Sequence, residues 1–203
     1  MASLGIGPRS VLVRNYGSVD LIKSIISDNT IQLVVNSTLD WFQNTACVSG
    51  SLFEIPLDIS TSYDQVNMTV GFAVSAINSM SYQTMDVPYV ISVPASMLAS
   101  VFRVIEQNGA RRRVHDSHSY KFSDCDRVSL LLPDLDIRFI SGMIRLGPTD
   151  YIRHLGNDTC QLLVTYHRST DGIHSFNPFL LNNVNVRFSN SSMFLCDSVF
   201  RDQ

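Results

Sequence analysis

Charge is scarce in this chain. Asp, Glu, Lys and Arg make up 16% of its 203 residues, and the formal net charge is only -3. So small an imbalance gives no general attraction to nucleic acid or to an anionic membrane surface, and both are disfavoured as partners. No apolar run approaches the ~20 residues needed to span a bilayer as a helix. The first residues carry Pro8, Arg9 and Arg14 and lack the uninterrupted apolar core of a secretory signal. Cys-x-x-Cys spacing is absent, which removes the usual zinc and dithiol redox motifs. Gly-x-Ser-x-Gly is absent too, and His154, His167 and His174 are isolated, so a serine-hydrolase triad has no support. His115 and His118 flank Asp116 in a polar stretch read as a loop, with no third ligand at helical spacing. Neither a metal nor a cofactor is expected.

What remains is a sequence rich in apolar residues (45%), long enough to bury a core and not composed like a disordered chain. Length favours one domain. The four cysteines, Cys47, Cys125, Cys160 and Cys196, are widely spaced. Disulfides in an oxidising compartment suit them, and buried free thiols are the alternative. Asn-x-Ser/Thr sequons stand at Asn36, Asn67, Asn157 and Asn190. They fit glycosylation of a secreted protein, although a chain this rich in Asn and Ser produces some by chance. Secretion without a leader implies that the chain is a fragment, or that its start lies further upstream.

Periodicity indicates a β-rich fold. Ser18 reads as an N-cap for a short helix over Leu21, Ile22, Ile25 and Ile26. Ile31, Leu33 and Val35 then alternate as a strand, Asn36-Ser37-Thr38 turns, and Trp41 to Val48 reads as a further strand. Val66, Met68, Val70, Phe72 and Val74 alternate strictly. Met97, Leu98, Val101, Phe102 and Ile105 mark an amphipathic helix that Pro94 opens and Asn108-Gly109 closes. Arg111-Arg112-Arg113 follows as a solvated cationic run, with a basic processing site as the alternative. From Cys125 to Cys160 the pattern is a β-meander. Leu135, Ile137 and Phe139 alternate with Asp136 and Arg138, Ser141-Gly142 turns, Ile144 and Leu146 resume, and Gly147-Pro148 turns again. Leu162, Val164 and Tyr166 continue the alternation.

Residues in this meander carry a resemblance. Cys125, Leu132-Pro133-Asp134-Leu135, Phe139, the Gly142 turn, Pro148-Thr149-Asp150-Tyr151-Ile152 and Cys160 together resemble the C-terminal lobe of pepsin-like aspartic peptidases. Gly50-Ser51-Leu52-Phe53, the stretch Phe179 to Phe188, and Ser3-Leu4-Gly5-Ile6-Gly7-Pro8 extend the similarity in weaker form. The resemblance implies a mainly β fold, a single lobe of the pepsin-like acid-protease type, barrel-like with short helices. Residues 1–12 would be a remnant of the end of a first lobe and 13–203 the C-terminal lobe. It implies a disulfide between Cys125 and Cys160. It also puts Phe194-Leu195-Cys196 in a final strand beside one holding Cys47, with Cys47 and Cys196 as candidates for a second bridge.

The family's chemistry uses two carboxylates that share a proton, because like charges about 3 Å apart cannot both ionise. Each lobe gives one Asp, in Asp-Thr/Ser-Gly. Here Asp86 is the matching acid and is at most a catalytic remnant, since Val87 and Pro88 stand in place of the hydroxyl residue and the glycine. Proline fixes φ and has no N–H to donate, so it cannot replace that glycine. Tyr89 and Ser92 would belong to the binding face. Ile173-His174-Ser175-Phe176 replaces the Ile-Leu-Gly segment that threads the catalytic loop in the family, and Phe176 adds bulk. The expected function is a family member inactive by itself that binds a peptide or protein. The alternatives are a half-enzyme active only with a complementary lobe or as a homodimer, and an unrelated secreted β-rich interaction module.

Overall fold

A computed structural model describes residues 10–24, 30–58, 65–73, 78–84, 89–108, 112–116, 119–166, 173–181 and 183–199. The fold is mainly β, with several antiparallel sheets. The chain forms two compact units: Met1–Val66 with Ile140–Gly142 and Leu181–Gln203, and Asn67–Phe139 with Met143–Leu180.

The first unit is built on a five-stranded antiparallel sheet. A short helix α1 (Val11–Tyr16) starts where Ser10 Oγ accepts the Val13 N–H at 3.1 Å. It stops at Gly17, whose φ of 78° closes the turn. The chain then enters β1 (Ser18–Ser24), not the helix expected from Ser18. Residues 18 to 22 are all buried, between β2 (Thr30–Val35) on one side and β15 (Val184–Ser189) on the other. Ser18 and Asp20 do alternate with Val19 and Leu21, but both are buried, and a serine and an acid before an apolar group also fit the cap and first turn of a helix. The second misreading is the reverse. Residues 39 to 46 form helix α2 (Leu39–Ala46) where a strand was expected, with Thr38 Oγ1 accepting the Trp41 N–H at 3.1 Å and Phe42 and Ala46 buried one turn apart. The sheet is completed by β16 (Ser192–Asp197) and β3 (Phe53–Pro56), in the order β2-β1-β15-β16-β3.

Ile22, Phe42, Ala46, Cys47 and Cys196 pack together under this sheet, with Val34 and Leu52 against them. Cys47 and Cys196 are bonded, at a Cα separation of 5.4 Å and 149 residues apart in sequence. Cys47 does not lie in a named strand, as the resemblance implied, but just beyond α2, in an isolated bridge with Ser198. Closing so long a loop disfavours the unfolded chain by on the order of 5 kcal/mol in the chain-entropy account. At the hairpin turn, Gly142 is needed for space, since a Cβ there would sit 2.7 Å from Phe53 Cγ. Ser141 Oγ also donates to the Glu54 carbonyl.

One buried ion pair crosses the sheet. Asp20 is fully buried on β1, and Arg187 on β15 donates to its Oδ1 at 2.8 Å. Arg187 also donates to Ser37 Oγ at 2.5 Å and to the Ser37 carbonyl at 2.9 Å, and Ser37 Oγ donates to Asp20. The pair therefore holds the turn that leads into α2.

The second unit contains a seven-stranded sheet, β10-β9-β4-β5-β14-β6-β13, and a four-stranded one, β11-β12-β8-β7. The strands are β4 (Gln65–Phe72), β5 (Asn78–Thr84), β6 (Ile91–Val93), β7 (Arg112–Asp116), β8 (Ser119–Ser123), β9 (Leu135–Arg138), β10 (Met143–Leu146), β11 (Ile152–Gly156), β12 (Thr159–Leu162), β13 (Val164–Tyr166) and β14 (Ile173–Phe176). Strand β4 shows the expected alternation, with Val66, Met68 and Val70 buried. Helix α3 (Ala95–Gln107) follows Pro94 and buries Met97, Leu98, Val101, Phe102 and Ile105, as the sequence indicated.

The meander between Cys125 and Cys160 differs from its expectation in two ways. Residues 125 to 131 are helix α4 (Cys125–Leu131), capped by Asp124, whose side chain accepts the Arg127 N–H at 3.3 Å. The strands beyond it divide between sheets, β9 and β10 at one edge of the seven-stranded sheet and β11 and β12 in the four-stranded one. Tyr151 sits at the division, fully buried, with its hydroxyl donating to the Pro133 carbonyl. His115 and Asp116 belong to β7 and not to a loop, and 117–118 lie outside the described residues.

Replacing Arg187 with Ala leaves Asp20 buried without its cation and is expected to cost about 3–5 kcal/mol of stability, read from the urea midpoint. Burial outweighs the contacts with Ser37 and Arg187 and holds the Asp20 carboxyl above its ordinary value of 3.8. A group that binds its proton more tightly when folded contributes most below its unfolded value, and that contribution is lost as pH rises through its folded value. The stability of the wild type relative to Asp20→Asn is therefore expected to decline as pH is raised from 3.8.

Candidate functional site

The site indicated by the sequence lies where strands of the seven-stranded sheet cross. Strands β5 and β6 are consecutive in the chain, yet β14 lies between them. It runs parallel to β5, pairing Ile173 with Ser81 and Phe176 with Thr84, and antiparallel to β6, pairing Phe176 with Ile91. An ordinary hairpin has thus been opened by one strand, and its two arms stand about 10 Å apart, twice the usual strand spacing. The connection between them carries Asp86. Asp86, Val87 and Pro88 lie outside the described residues.

Around the crossing the backbone is tightly tied. Val90 N donates to the Leu163 carbonyl at 2.6 Å, and Asn177 N to the Val90 carbonyl at 2.7 Å. The Ser175 N–H bonds to a side chain, Ser92 Oγ, at 2.7 Å. Ser92 is fully buried. Its assignment to a binding face is therefore corrected, because its hydroxyl braces β14 against β6 and does not meet solvent. Tyr89 is half-buried at the start of this segment.

The crossing packs aromatic rings beside a few buried polar atoms. His174 on β14 pairs in register with Tyr82 on β5, and their rings lie 5.5 Å apart. The Tyr82 hydroxyl is buried with no hydrogen-bond partner, as is Thr165 Oγ1. Burial pushes the Tyr82 phenol up, so it stays neutral. Phe176 is fully buried and lies 6.2 Å from the ring of Phe139. In register it stands opposite Thr84 on β5 and Ile91 on β6. Among the described residues the only buried carboxylate is Asp20, and it is committed to Arg187. The described part of the crossing holds no carboxylate, and its titratable side chains are His174 and Tyr82.

A second polar feature was not singled out from sequence. A surface groove of about 400 Å³ is lined by Thr69, Gly71, Phe72, Asp136, Arg138 and Arg145, among others. Asp136 accepts from Arg145 Nε at 2.7 Å and from Arg138 at 3.2 Å, which holds its carboxyl below the usual range. The acid and the two bases occupy one another. The signal was present in the sequence, since Asp136, Arg138 and Arg145 occupy alternate positions on paired strands, but only pairing of β9 with β10 puts Arg145 opposite Asp136.

The implied bridge between Cys125 and Cys160 is also corrected: both are buried free thiols. Cys160 Sγ donates to the Phe122 carbonyl at 3.9 Å, and burial raises both thiols above their ordinary value. Since the thiolate is the species that attacks in disulfide exchange, such a pair is slow to react. Asp158 anchors the same corner, accepting the Asp124 and Cys125 N–H groups at 3.0 Å each. The Asn side chains of the four sequons, Asn36, Asn67, Asn157 and Asn190, are all exposed.

No protein-family model matches the chain, and no curated protein matches it.

Cys125 and Cys160 are expected to react slowly with an aromatic disulfide reagent in the native protein, and to give two thiols per chain once it is denatured without reductant. Recovery of no thiol after denaturation would mean that the pair is bridged.

Proposed function

We propose that this chain is a lobe of the pepsin-like aspartic-peptidase type that does not hydrolyse peptides by itself and acts by binding a peptide or protein. The observation that carries the reading is the position of β14 between β5 and β6. In the family that the sequence resembles, an apolar segment threads a loop between two strands, and that loop bears the catalytic Asp. Here the threading segment is Ile173-His174-Ser175-Phe176 and the loop is the one with Asp86. A mainly β architecture is in keeping with this reading.

Loss of hydrolysis follows from the residues. One carboxylate cannot divide the roles of base and acid between two protonation states. Val87 supplies no hydroxyl, and Pro88 supplies neither the conformational freedom of glycine nor an N–H. Phe176 is fully buried at the crossing and adds bulk where the family has none. Binding does not need these groups. A secreted location fits the bridge between Cys47 and Cys196, since disulfides persist in oxidising compartments. The partner is a polypeptide, either a separate protein, a complementary lobe or a second copy.

The test is peptide cleavage by the purified chain across acidic pH, with and without pepstatin, and with Asp86→Asn in parallel. No turnover above the buffer blank is expected in any arm. Pepstatin-sensitive turnover at acidic pH that disappears in Asp86→Asn would overturn the reading. Turnover only on mixing with a complementary lobe would establish a half-enzyme instead.

A further inference from the structure

Three of the four sequons occupy turns, and two of these turns lie at one end of the same sheet. Asn36 follows β2 in the left-handed region, with φ 58°, and its N–H donates to the Ser18 carbonyl at 3.2 Å. Ser18 pairs with Ser189, the last residue of β15, and Asn190 comes next in the tight turn into β16. The two asparagines are thus separated by one intervening strand, about 10 Å at ordinary strand spacing. Asn157 is at the tip of the β11–β12 hairpin, where Asn157 and Asp158 both have positive φ, 50° and 53°. Asn67 differs: it lies within β4, and β4 has β9 on one side and β5 on the other. It is exposed, but it stands in extended chain two residues before the pairing with β9 begins at Thr69, and not at the tip of a turn.

An independent observation bears on whether the chain meets the enzymes that attach such sugars. The disulfide between Cys47 and Cys196 joins residues 149 apart and belongs to an oxidising compartment, the same compartment in which Asn-linked glycans are added. At Asn36 the serine that follows is turned inward to Asp20 and Arg187, so the asparagine itself is the part of the sequon that faces outward. At Asn190 the same holds, because Ser192 is buried and donates to Glu54 Oε1 at 2.5 Å while Asn190 is exposed.

We propose that Asn36 and Asn190 are N-glycosylated and form a carbohydrate cap over the end of the five-stranded sheet where β2 ends and β15 turns into β16, with a third glycan on Asn157. The cap closes that end to protein partners and adds solubility there. The opposite end, where the disulfide ties Cys196 beside α2, carries no sequon and stays bare. The inference does not depend on any peptidase ancestry.

It is tested on the wild-type chain, secreted from a eukaryotic host behind a cleavable leader. Enzymatic release of N-glycans in heavy-oxygen water converts each occupied Asn to a labelled Asp, and peptide mapping then reads occupancy site by site without any substitution. Label at Asn36, Asn157 and Asn190, each exceeding that at Asn67, is the expected result. An unlabelled Asn36 or Asn190 in the secreted protein overturns the cap, and label confined to Asn67 overturns the whole proposal.

Discussion

Everything in the seven-stranded sheet depends on β14 having its neighbours on both sides. The sheet order makes it the one strand that joins β10-β9-β4-β5 to β6-β13. Four residues, Ile173–Phe176, therefore carry a seam that elsewhere would be made by a longer hairpin. The seam uses both kinds of pairing, parallel to β5 and antiparallel to β6. A strand this short adds few ladder bonds, and side chains reinforce it: Ser92 Oγ takes the Ser175 N–H, and Phe176 buries its whole ring. Leaving the Tyr82 hydroxyl beside it, and Thr165 Oγ1 on β13 beyond β6, without partners costs on the order of 1–3 kcal/mol each. That cost is offset only because the surrounding ladders fix the strand in place.

The five-stranded sheet solves a different problem. Its central strands are covered on both faces, so a polar group there has to be matched from within. Asp20 and Arg187 match each other, and Ser37 fills the remaining valences of both. A buried pair of this kind adds little net stability compared with apolar side chains of the same size. What it does give is position, because the Ser37 carbonyl and hydroxyl are caught by the guanidinium and the chain must enter α2 from that point. At the other end of α2 the Asn185 side chain donates to the Ala46 carbonyl at 2.7 Å, and Cys47 is bonded to Cys196. The helix is held at both ends by β15 and β16.

This contrast explains how much of the fold could be read from sequence. Half-exposed elements were legible: β4 alternates visibly, and α3 shows a buried stripe at helical spacing between Pro94 and Asn108. Elements buried on every side are harder to read: in β1, Ser18 and Asp20 alternate with Val19 and Leu21, but a serine and an acid just ahead of Leu21, Ile22, Ile25 and Ile26 serve equally well as the cap and first-turn acid of a helix. Helix α2 was missed although Thr38 and Asp40 are good start signals, because Trp41 and Phe42 together suggest a strand when local preference is weighed without the tertiary setting. At the candidate site, the residues that cross could be named from the sequence, but not the role of Ser92. A buried serine that accepts a main-chain N–H looks the same in sequence as an exposed one that greets a ligand.

The proposed loss of hydrolysis and the ring-filled interior of the crossing bear on each other. A catalytic carboxylate in a crowded strand crossing needs backbone N–H groups and small neighbours that let it keep its charge without a cation close by. On the proposed reading, Pro88 offers no N–H and Val87 no hydroxyl, so an acid at Asp86 has fewer groups to hold its charge. Selection for charge control at the crossing then lapses, and its interior is free to be filled. Phe176, His174 and Tyr82, three rings within two paired strands, are what such filling looks like. Large rings increase the apolar area that ties β14 to its neighbours, at roughly 25 cal/mol for each Å² removed from water. On the proposed reading these rings favour a rigid scaffold, and a rigid scaffold suits recognition of a partner, because less conformational freedom is lost when the complex forms.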